Sequence, residues 1–553
     1  MLLVAFLPSI GNAQDPPTGP IQASFTDELG FLFSDSKVPD APVHTFTVDV
    51  PRGGIAGVHI LMNGLRADQN LSFSVRSSGL VGLSPVWYRL VDVPVTQNTG
   101  LAQRLGTDNP HVIRKAPFRV FDALEPIRSP LQIKNPIAVL RFELAAGPKE
   151  RPGKREYMIT LKQGDHKQVL KFTVNVHKVT LPAVGKNSFS YTNWFNLSNM
   201  AVDFKLTPWS SQHWAMIEKY AQMMARGRQN TFLLPLKNYL DKNDDGRYVL
   251  NRQRLRRLVK IFTDAGMYYI EGGHLASRTG GEWASKTFSI TEVGGKSPLA
   301  TSREGDRALA DICGQLIDEI RANNWQGRWL QHATDEPIES HAADYRILAG
   351  MIRKYMPGIP IIDANMEATM ASIQLYGAQD IWCPKPNSYE KYRDAYEEMK
   401  ALGDQVWFYT CLDPRGAYLN RLLDQERMRP MLIGWLAALY DLDGFLHWGL
   451  NHYRFGPGDE KPIDPFTKTI KGNLPPGDTH VIYPGKGAPW SSTRLEAHRI
   501  GFEDYELLKM LRAKDPYAAK QIINGVIRSC SDYIKEPQAY RTFRRQLLTA
   551  LEK

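Results

Sequence analysis

The chain has few cysteines, no long apolar run, no extended basic tract and no glycine-rich loop of the kind that cradles phosphate. Each absence removes a class of protein. Four cysteines stand among 553 residues: Cys313, Cys383, Cys411 and Cys530. They show no CxxC spacing and no paired histidines at zinc-ligand distance, so no metal is expected. Cys383 and Cys411, in consecutive strand candidates, read as isolated buried thiols. Beyond the N-terminus nothing approaches the ~18 apolar residues of a membrane span, so no membrane insertion is expected. The net charge of +10 admits an anionic partner. The densest basic group, Arg252 to Arg257, shares a helix with Leu255, Leu258, Val259 and Phe262 and reads as its solvated face, so no nucleic-acid partner is expected. Without a phosphate loop or a nucleophile elbow, no cofactor is implied. Residues 241–246 (DKNDDG) match the start of a calcium-binding loop, but Arg252 stands where its last carboxylate is needed, so they read as a tight turn before a helix capped by Asn251.

What is present divides by periodicity. Residues 1–13 (MLLVAFLPSIGNA) resemble the end of a signal peptide and predict an exported, secreted or periplasmic protein. Residues 14–39 read as a loose leader. From 40 to 182, alternating segments rich in Val, Phe and Thr predict an antiparallel β-sandwich. From 187 to 470 the pattern becomes strand, helix, strand. Candidate strands are Ser188–Trp194, Thr231–Leu236, Tyr268–His274, Arg328–Asp335, Ile359–Asn365, Asp380–Pro384, Val406–Leu412 and Gly444–Leu450. Helical stripes separate them, as in Leu309, Ile312, Cys313, Leu316, Ile317 and Ile320. Eight such repeats predict a (β/α)8 barrel of TIM type in an α/β chain. Residues 471–553 read as a helical appendix, docked through ion pairs of Arg494, Glu496, Arg499 and Glu503.

Residues 328–337 (RWLQHATDEP) carry the sharpest functional signal. A buried strand stops at two adjacent acids, Asp335 and Glu336, before Pro337, and barrels keep their chemistry at strand C-terminal ends. A capped helix start would use the same residue types. The other strand tips favour the catalytic reading. They offer Tyr191, Asn193 and Trp194; His274; Asp363 and Asn365; Trp382, Lys385 and Asn387; Tyr409 and Asp413; Trp448, Asn451 and His452. Carboxylates among aromatic and amide side chains suit a sugar, whose C–H faces stack on rings and whose hydroxyls need directional partners.

The ATDEP strand end, the eighth strand FLHWGLNHY, and the tail THVIYPG followed by SSTRLEAHRIGFEDYELL resemble glycoside hydrolase family 123 and the related domain of unknown function 4091. The resemblance covers nearly all of the chain after residue 13. It implies a β-sandwich before a (β/α)8 barrel, and a β-N-acetylgalactosaminidase-like activity on a glycan with a terminal amino sugar. The family's Asp-Glu pair falls on Asp335 and Glu336. A retaining, substrate-assisted mechanism is then implied, and adjacency agrees, because neighbouring carboxyls cannot easily straddle a glycosidic bond. Asp335 would orient the 2-acetamido group and Glu336 would move protons. Tyr409 is a candidate donor to the acetamido carbonyl, Trp382 and Trp448 candidate platforms, His274 and Asn365 candidate hydroxyl ligands, and Asn451 a further tip residue. Two alternatives remain. One is a two-carboxylate glycosidase using Asp363 or Asp413 beside Glu336 on a sugar without an acetamido group; the other is a non-catalytic glycan-binding protein.

Overall fold

Apolar and polar residues alternate along the N-terminal third of the chain, and the resulting strands bury one face each. The computed structural model describes residues 21–78, 83–366, 374–453 and 463–553, so the segment expected as a signal peptide lies outside the described residues. Two five-stranded sheets form the sandwich. Their facing side chains, among them Val58, Ile60, Phe73, Leu140, Phe142, Ile159, Phe172 and Val174, make one core. The pairings are antiparallel except that His166–Thr180 runs parallel to Thr45–Arg52. The described part of the leader expected over 14–39, from residue 21 on, is instead packed against the sandwich. Gln22–Thr26 is an edge strand on Ile55–Asn63, because Ala23 and Phe25 recur at the two-residue period of a strand and cover the sandwich core.

Eight short parallel strands follow: β1 (Ser190–Asn193), β2 (Thr231–Leu234), β3 (Tyr269–Gly272), β4 (Trp329–Gln331), β5 (Ile362–Asn365), β6 (Ile381–Pro384), β7 (Gln405–Thr410) and β8 (Gly444–His447). Nearly all their residues are buried on both faces, as a helix-wrapped parallel sheet requires. Their order, β4-β3-β2-β1-β8-β7-β6-β5, is that of a barrel open at one seam. There β4 and β5 share a single bridge between Gln331 and Ile361. One set of side chains, including Leu330, Ile362, Ile381, Cys383, Trp407, Tyr409 and Leu446, meets inside. The alternate set packs against the helices.

The helix Thr493–Lys514 ties the domains together. It crosses the helix Met428–Tyr440 so closely that a Cβ on Gly434 would lie 2.1 Å from the Gly501 carbonyl oxygen, which explains glycine at both positions. Of the four charges expected to dock the appendix, Arg494 and Glu496 reach outside it, while Arg499 and Glu503 pair within it. Arg494 bonds Asp122 of the sandwich at 3.0 Å, Glu496 accepts from Arg226 and Arg499, and Glu503 accepts from Arg499 and Arg544. Residues 241–246 form the expected turn, between Leu240–Lys242 and Tyr248–Leu250. In the basic helix Arg252–Asp264, Arg252 and Arg256 pair with the buried Glu319. All four cysteines are free thiols.

Candidate active site

The acid pair stands where the barrel seam opens. Strand β4 ends at Gln331, earlier than the predicted Asp335, since β5 offers no backbone ladder beyond the single bridge. Side chains replace it. His332 lies between two carboxylates, its Nδ1 2.7 Å from Asp363 of β5 and its Nε2 2.5 Å from Glu271 of β3. Burial works against a charged imidazole, but these two hydrogen bonds outweigh it and push the pKa up to about 10, so His332 is an imidazolium at neutral pH. The second oxygen of Asp363 accepts from the Tyr345 hydroxyl at 2.6 Å and from the backbone N–H groups of Ala333 and Thr334, each at 3.3 Å. Glu271 accepts also from Thr192 and from Trp194 Nε1. One charged network therefore joins β1, β3, β4 and β5 and holds the backbone immediately before Asp335.

Glu336 sits at φ +45°, in the left-handed region that a residue with a side chain rarely adopts. The Arg278 guanidinium donates to its carbonyl oxygen at 2.8 Å. Its carboxyl Oε1 accepts from the Tyr409 hydroxyl at 2.6 Å. Burial and then the neighbouring Asp335 charge push the Glu336 pKa up to about 7, against the pull of Tyr409, Lys385 and Arg278. Burial also raises Asp335, opposed by Arg278 and His332. A carboxyl titrating near neutrality beside a second carboxyl suits the work of a general acid.

The structure sorts the other predicted residues. Tyr409 meets Glu336, as above. His274 is at the tip of β3, packed edge-on against Trp194 and 4.7 Å from the His332 ring. Its Nε2 has no hydrogen-bond partner among the described residues, and burial followed by the His332 charge holds its pKa down at about 3. Trp448, half-buried at the tip of β8, donates to Asp478 at 3.3 Å. Trp382 does not face the site. With Ile381 and Cys383 inward, the strand period turns it outward against Tyr376 and Tyr396, with Nε1 bonded to Asp404. Asn365 is occupied by Gln379 and the Cys383 backbone. Asn451 clamps the Asn196 backbone through both ends of its amide. Asp363 is taken up by the seam, and Asp413 is bonded by Arg415 at 2.7 Å.

Glu271, His332, Arg278 and Asp478 were not singled out from sequence. The first two were visible as polar residues inside apolar strands; Arg278 and Asp478 lie in loops and gave no signal. Asp478 is fully buried, and burial pushes its pKa up to about 7, against Arg421. Among the described residues, His274, His332 and Asp363 bring possible metal-ligand atoms within 4.8 Å of one another. Both His332 nitrogens are already taken by carboxylates, and an imidazolium repels a cation, so the set fits a buried ion-pair network better than a metal.

An eight-stranded barrel with a near-neutral carboxyl and a second acid at its strand ends has the make-up of a glycoside hydrolase. The family model described as glycoside hydrolase 123, catalytic domain, matches residues 194–511, and the chain belongs to that family. It is similar along its length to a family 123 glycoside hydrolase from Clostridium perfringens whose structural analysis concerns glycolipid glycan hydrolysis, with 14% identity, a TM-score of 0.73, and coverage of 96% of this chain and 97% of that one. At that identity the likeness shows the fold alone. The β-glucuronidase of Parabacteroides merdae follows at 10% identity, TM-score 0.31, covering 88% of this chain and 51% of that one. The endo-β-1,4-mannanase of Thermotoga petrophila has 11% identity, TM-score 0.37, and coverage of 58% and 77%. No curated protein matches the chain.

Proposed function

We propose that this glycoside hydrolase releases a terminal β-linked N-acetylhexosamine, N-acetylgalactosamine in the first instance, by a retaining mechanism in which the substrate's own acetamido group is the nucleophile. The observation that carries this reading is the distribution of carboxylates. Glu271 and Asp363 are spent on His332, Asp413 on Arg415, and Asp478 accepts from Trp448 at the tip of β8, so we assign the chemistry to the adjacent pair Asp335 and Glu336. Among the described residues no side chain or backbone N–H donates a hydrogen bond to the Asp335 carboxylate. Adjacent acids supply one proton carrier and one orienting anion, and the nucleophile must come from elsewhere.

In the first step the acetamido oxygen forms a bond to C1 while the bond from C1 to the glycosidic oxygen breaks and Glu336 gives that oxygen its proton. Asp335 accepts the acetamido N–H and stabilises the positive charge that spreads over the oxazolinium ring. In the second step Glu336, now a carboxylate, takes a proton from water as its oxygen attacks C1 and the ring reopens, restoring the acetamido group with net retention. Tyr409 steadies the Glu336 carboxylate between the steps. His274 and Trp448 remain the candidates for contact with the sugar. The residues 1–13 motif supports export to the periplasm or medium, where such glycans are met. No helix among the described residues is long and apolar enough to cross a membrane.

Side-by-side assay of aryl β-N-acetylgalactosaminide, β-N-acetylglucosaminide and the corresponding glycosides lacking the acetamido group tests the reading. Turnover restricted to the acetamido sugars, lost in Glu336→Gln, is expected. Comparable turnover of a sugar lacking the acetamido group would sink the mechanism and favour Asp363 or Asp413 as a conventional partner.

A further inference from the structure

Strand β3 is followed by a hairpin, Ala276–Arg278 against Phe288–Ile290, whose loop rises beside the acid pair. The loop is braced. Thr279 N donates to the Thr287 carbonyl at 3.0 Å, and the hydroxyls of Thr279, Thr287 and Ser289 form a chain. Phe288 N donates to Asp344 at 2.9 Å, so the hairpin is tied to the segment that follows Glu336. At its tip stands Trp283. Most tryptophans here are buried or half-buried, but Trp283 is 46% exposed.

One face of that indole is covered. The Arg278 guanidinium carbon lies 3.9 Å from the ring centroid, and the same guanidinium donates to the Glu336 carbonyl oxygen. Trp283 and the Glu336 backbone therefore share one guanidinium, the indole against its face and the carbonyl oxygen on an in-plane N–H. Arg278 is held between a ring and a backbone oxygen, which fixes the orientation of the indole relative to the acid. Among the described residues no second cation or ring lies over the other face. An exposed tryptophan on a braced loop gives up apolar burial, and the exposed face is the kind of surface on which a pyranose stacks.

A general acid must stand beside the oxygen it protonates, so the leaving group of a glycoside lies on the acid's side of the bond. We propose that Trp283 is the platform for the leaving sugar: the hexopyranose on the reducing side of the scissile bond lays a C–H face on the indole face that Arg278 leaves open. The inference rests on Glu336 acting as the acid, and specifies where the aglycone binds, which the family assignment does not. Arg278 acts as a positioning residue in this arrangement, coupling the platform to the Glu336 backbone.

The experiment compares kcat/KM on two substrates with the same glycone, a glycosyl fluoride, whose leaving group offers nothing to stack, and a disaccharide. For Trp283→Ala the loss on the disaccharide should exceed the loss on the fluoride by about tenfold, mostly in KM. Trp283→Phe keeps an aromatic face and should recover most of the difference. Equal losses on the two substrates would mean that Trp283 serves only to seat Arg278 and would overturn the proposal, as would no loss on either. The glycone is whichever the wild type hydrolyses. Failure of the amino-sugar reading therefore shows in the wild-type rates, and failure of the platform shows in the ratio between variant and wild type.

Discussion

Replacing Tyr409 by Phe removes the hydroxyl that donates to Glu336 Oε1 at 2.6 Å and changes little else, because the ring is buried within the barrel. A hydrogen bond to a charged group contributes about 1.5–3 kcal/mol. The protonated carboxyl can itself donate back to the hydroxyl, so only part of that difference bears on the titration, about 1.4 kcal/mol or one pKa unit. The bond favours the carboxylate, and its loss favours the acid. Glu336, at about 7 in the wild type, should then titrate near 8. Glu336 must carry its proton to protonate the leaving oxygen, so it sets the alkaline limb of kcat/KM, and that limb moves upward. With the pKa raised from about 7 to about 8, the ratio of variant to wild-type activity rises about fivefold between pH 6 and pH 8, whatever the absolute loss. The assay is a pH profile on a substrate with a poor leaving group, since nitrophenolate departs with little help from an acid. An alkaline limb that stays near 7, or moves down, refutes Glu336 as the acid steadied by Tyr409.

Two further substitutions probe the same turn. Glu336→Gln should stabilise the fold above pH 8 by about 1–2 kcal/mol, allowing for partial solvent exposure, because it removes a carboxyl whose pKa rises from 4.5 to about 7 on folding. A raised carboxyl pKa contributes stability below about 4.5 that is lost as pH rises through 7, so the two proteins should converge below pH 5 in denaturant titrations. A variant less stable than wild type at pH 8 contradicts the assignment. Asp363→Asn leaves the buried His332 imidazolium half-paired and loosens the Ala333 and Thr334 N–H groups. It should cost about 3 kcal/mol of stability and lower kcat by roughly one to two orders of magnitude with little change in KM. Rescue of Asp363→Ala by azide, with formation of a glycosyl azide, would instead make Asp363 a nucleophile.

The sandwich and the eight barrel strands were legible because periodicity reports burial, and burial is what forms them. The Asp335–Glu336 turn drew notice in the sequence because two adjacent acids end an apolar strand there, a pattern that a capped helix start shares. Trp382 shows where such reading stops. A strand tip is known from sequence to within a residue or so, and a shift of one residue exchanges pocket for helix layer. Asn365 and Asn451 fail for a different reason: an amide at a strand end satisfies a neighbouring loop as readily as a sugar hydroxyl, and which it meets depends on contacts distant in sequence. Glu271 and His332 stood in plain view. What could not be read was that β3, β4 and β5 bring Glu271, His332 and Asp363 into one row. Trp283 lies in a loop without period, where neither burial nor alternation gives a signal.

The position of the seam follows from what the Asp335–Glu336 turn needs. A continuous ladder between β4 and β5 would bind the Ala333 N–H to a β5 backbone oxygen and carry extended geometry on through Asp335 and Glu336. Glu336 could not then take φ +45°, the conformation in which its carbonyl meets Arg278 while its carboxyl meets Tyr409 across the barrel. Ending the ladder at the single bridge between Gln331 and Ile361 releases the turn but leaves buried N–H groups without acceptors. The Asp363 carboxylate supplies those acceptors, and its buried charge in turn needs a cation, which His332 provides. One aspartate leaves the imidazolium free on its other nitrogen, and Glu271 completes it. The three-residue network is thus the consequence of opening the barrel beside its acids. Each member is required by the one before it, and a substitution at any of them should disturb the Asp335–Glu336 turn before it disturbs the rest of the barrel.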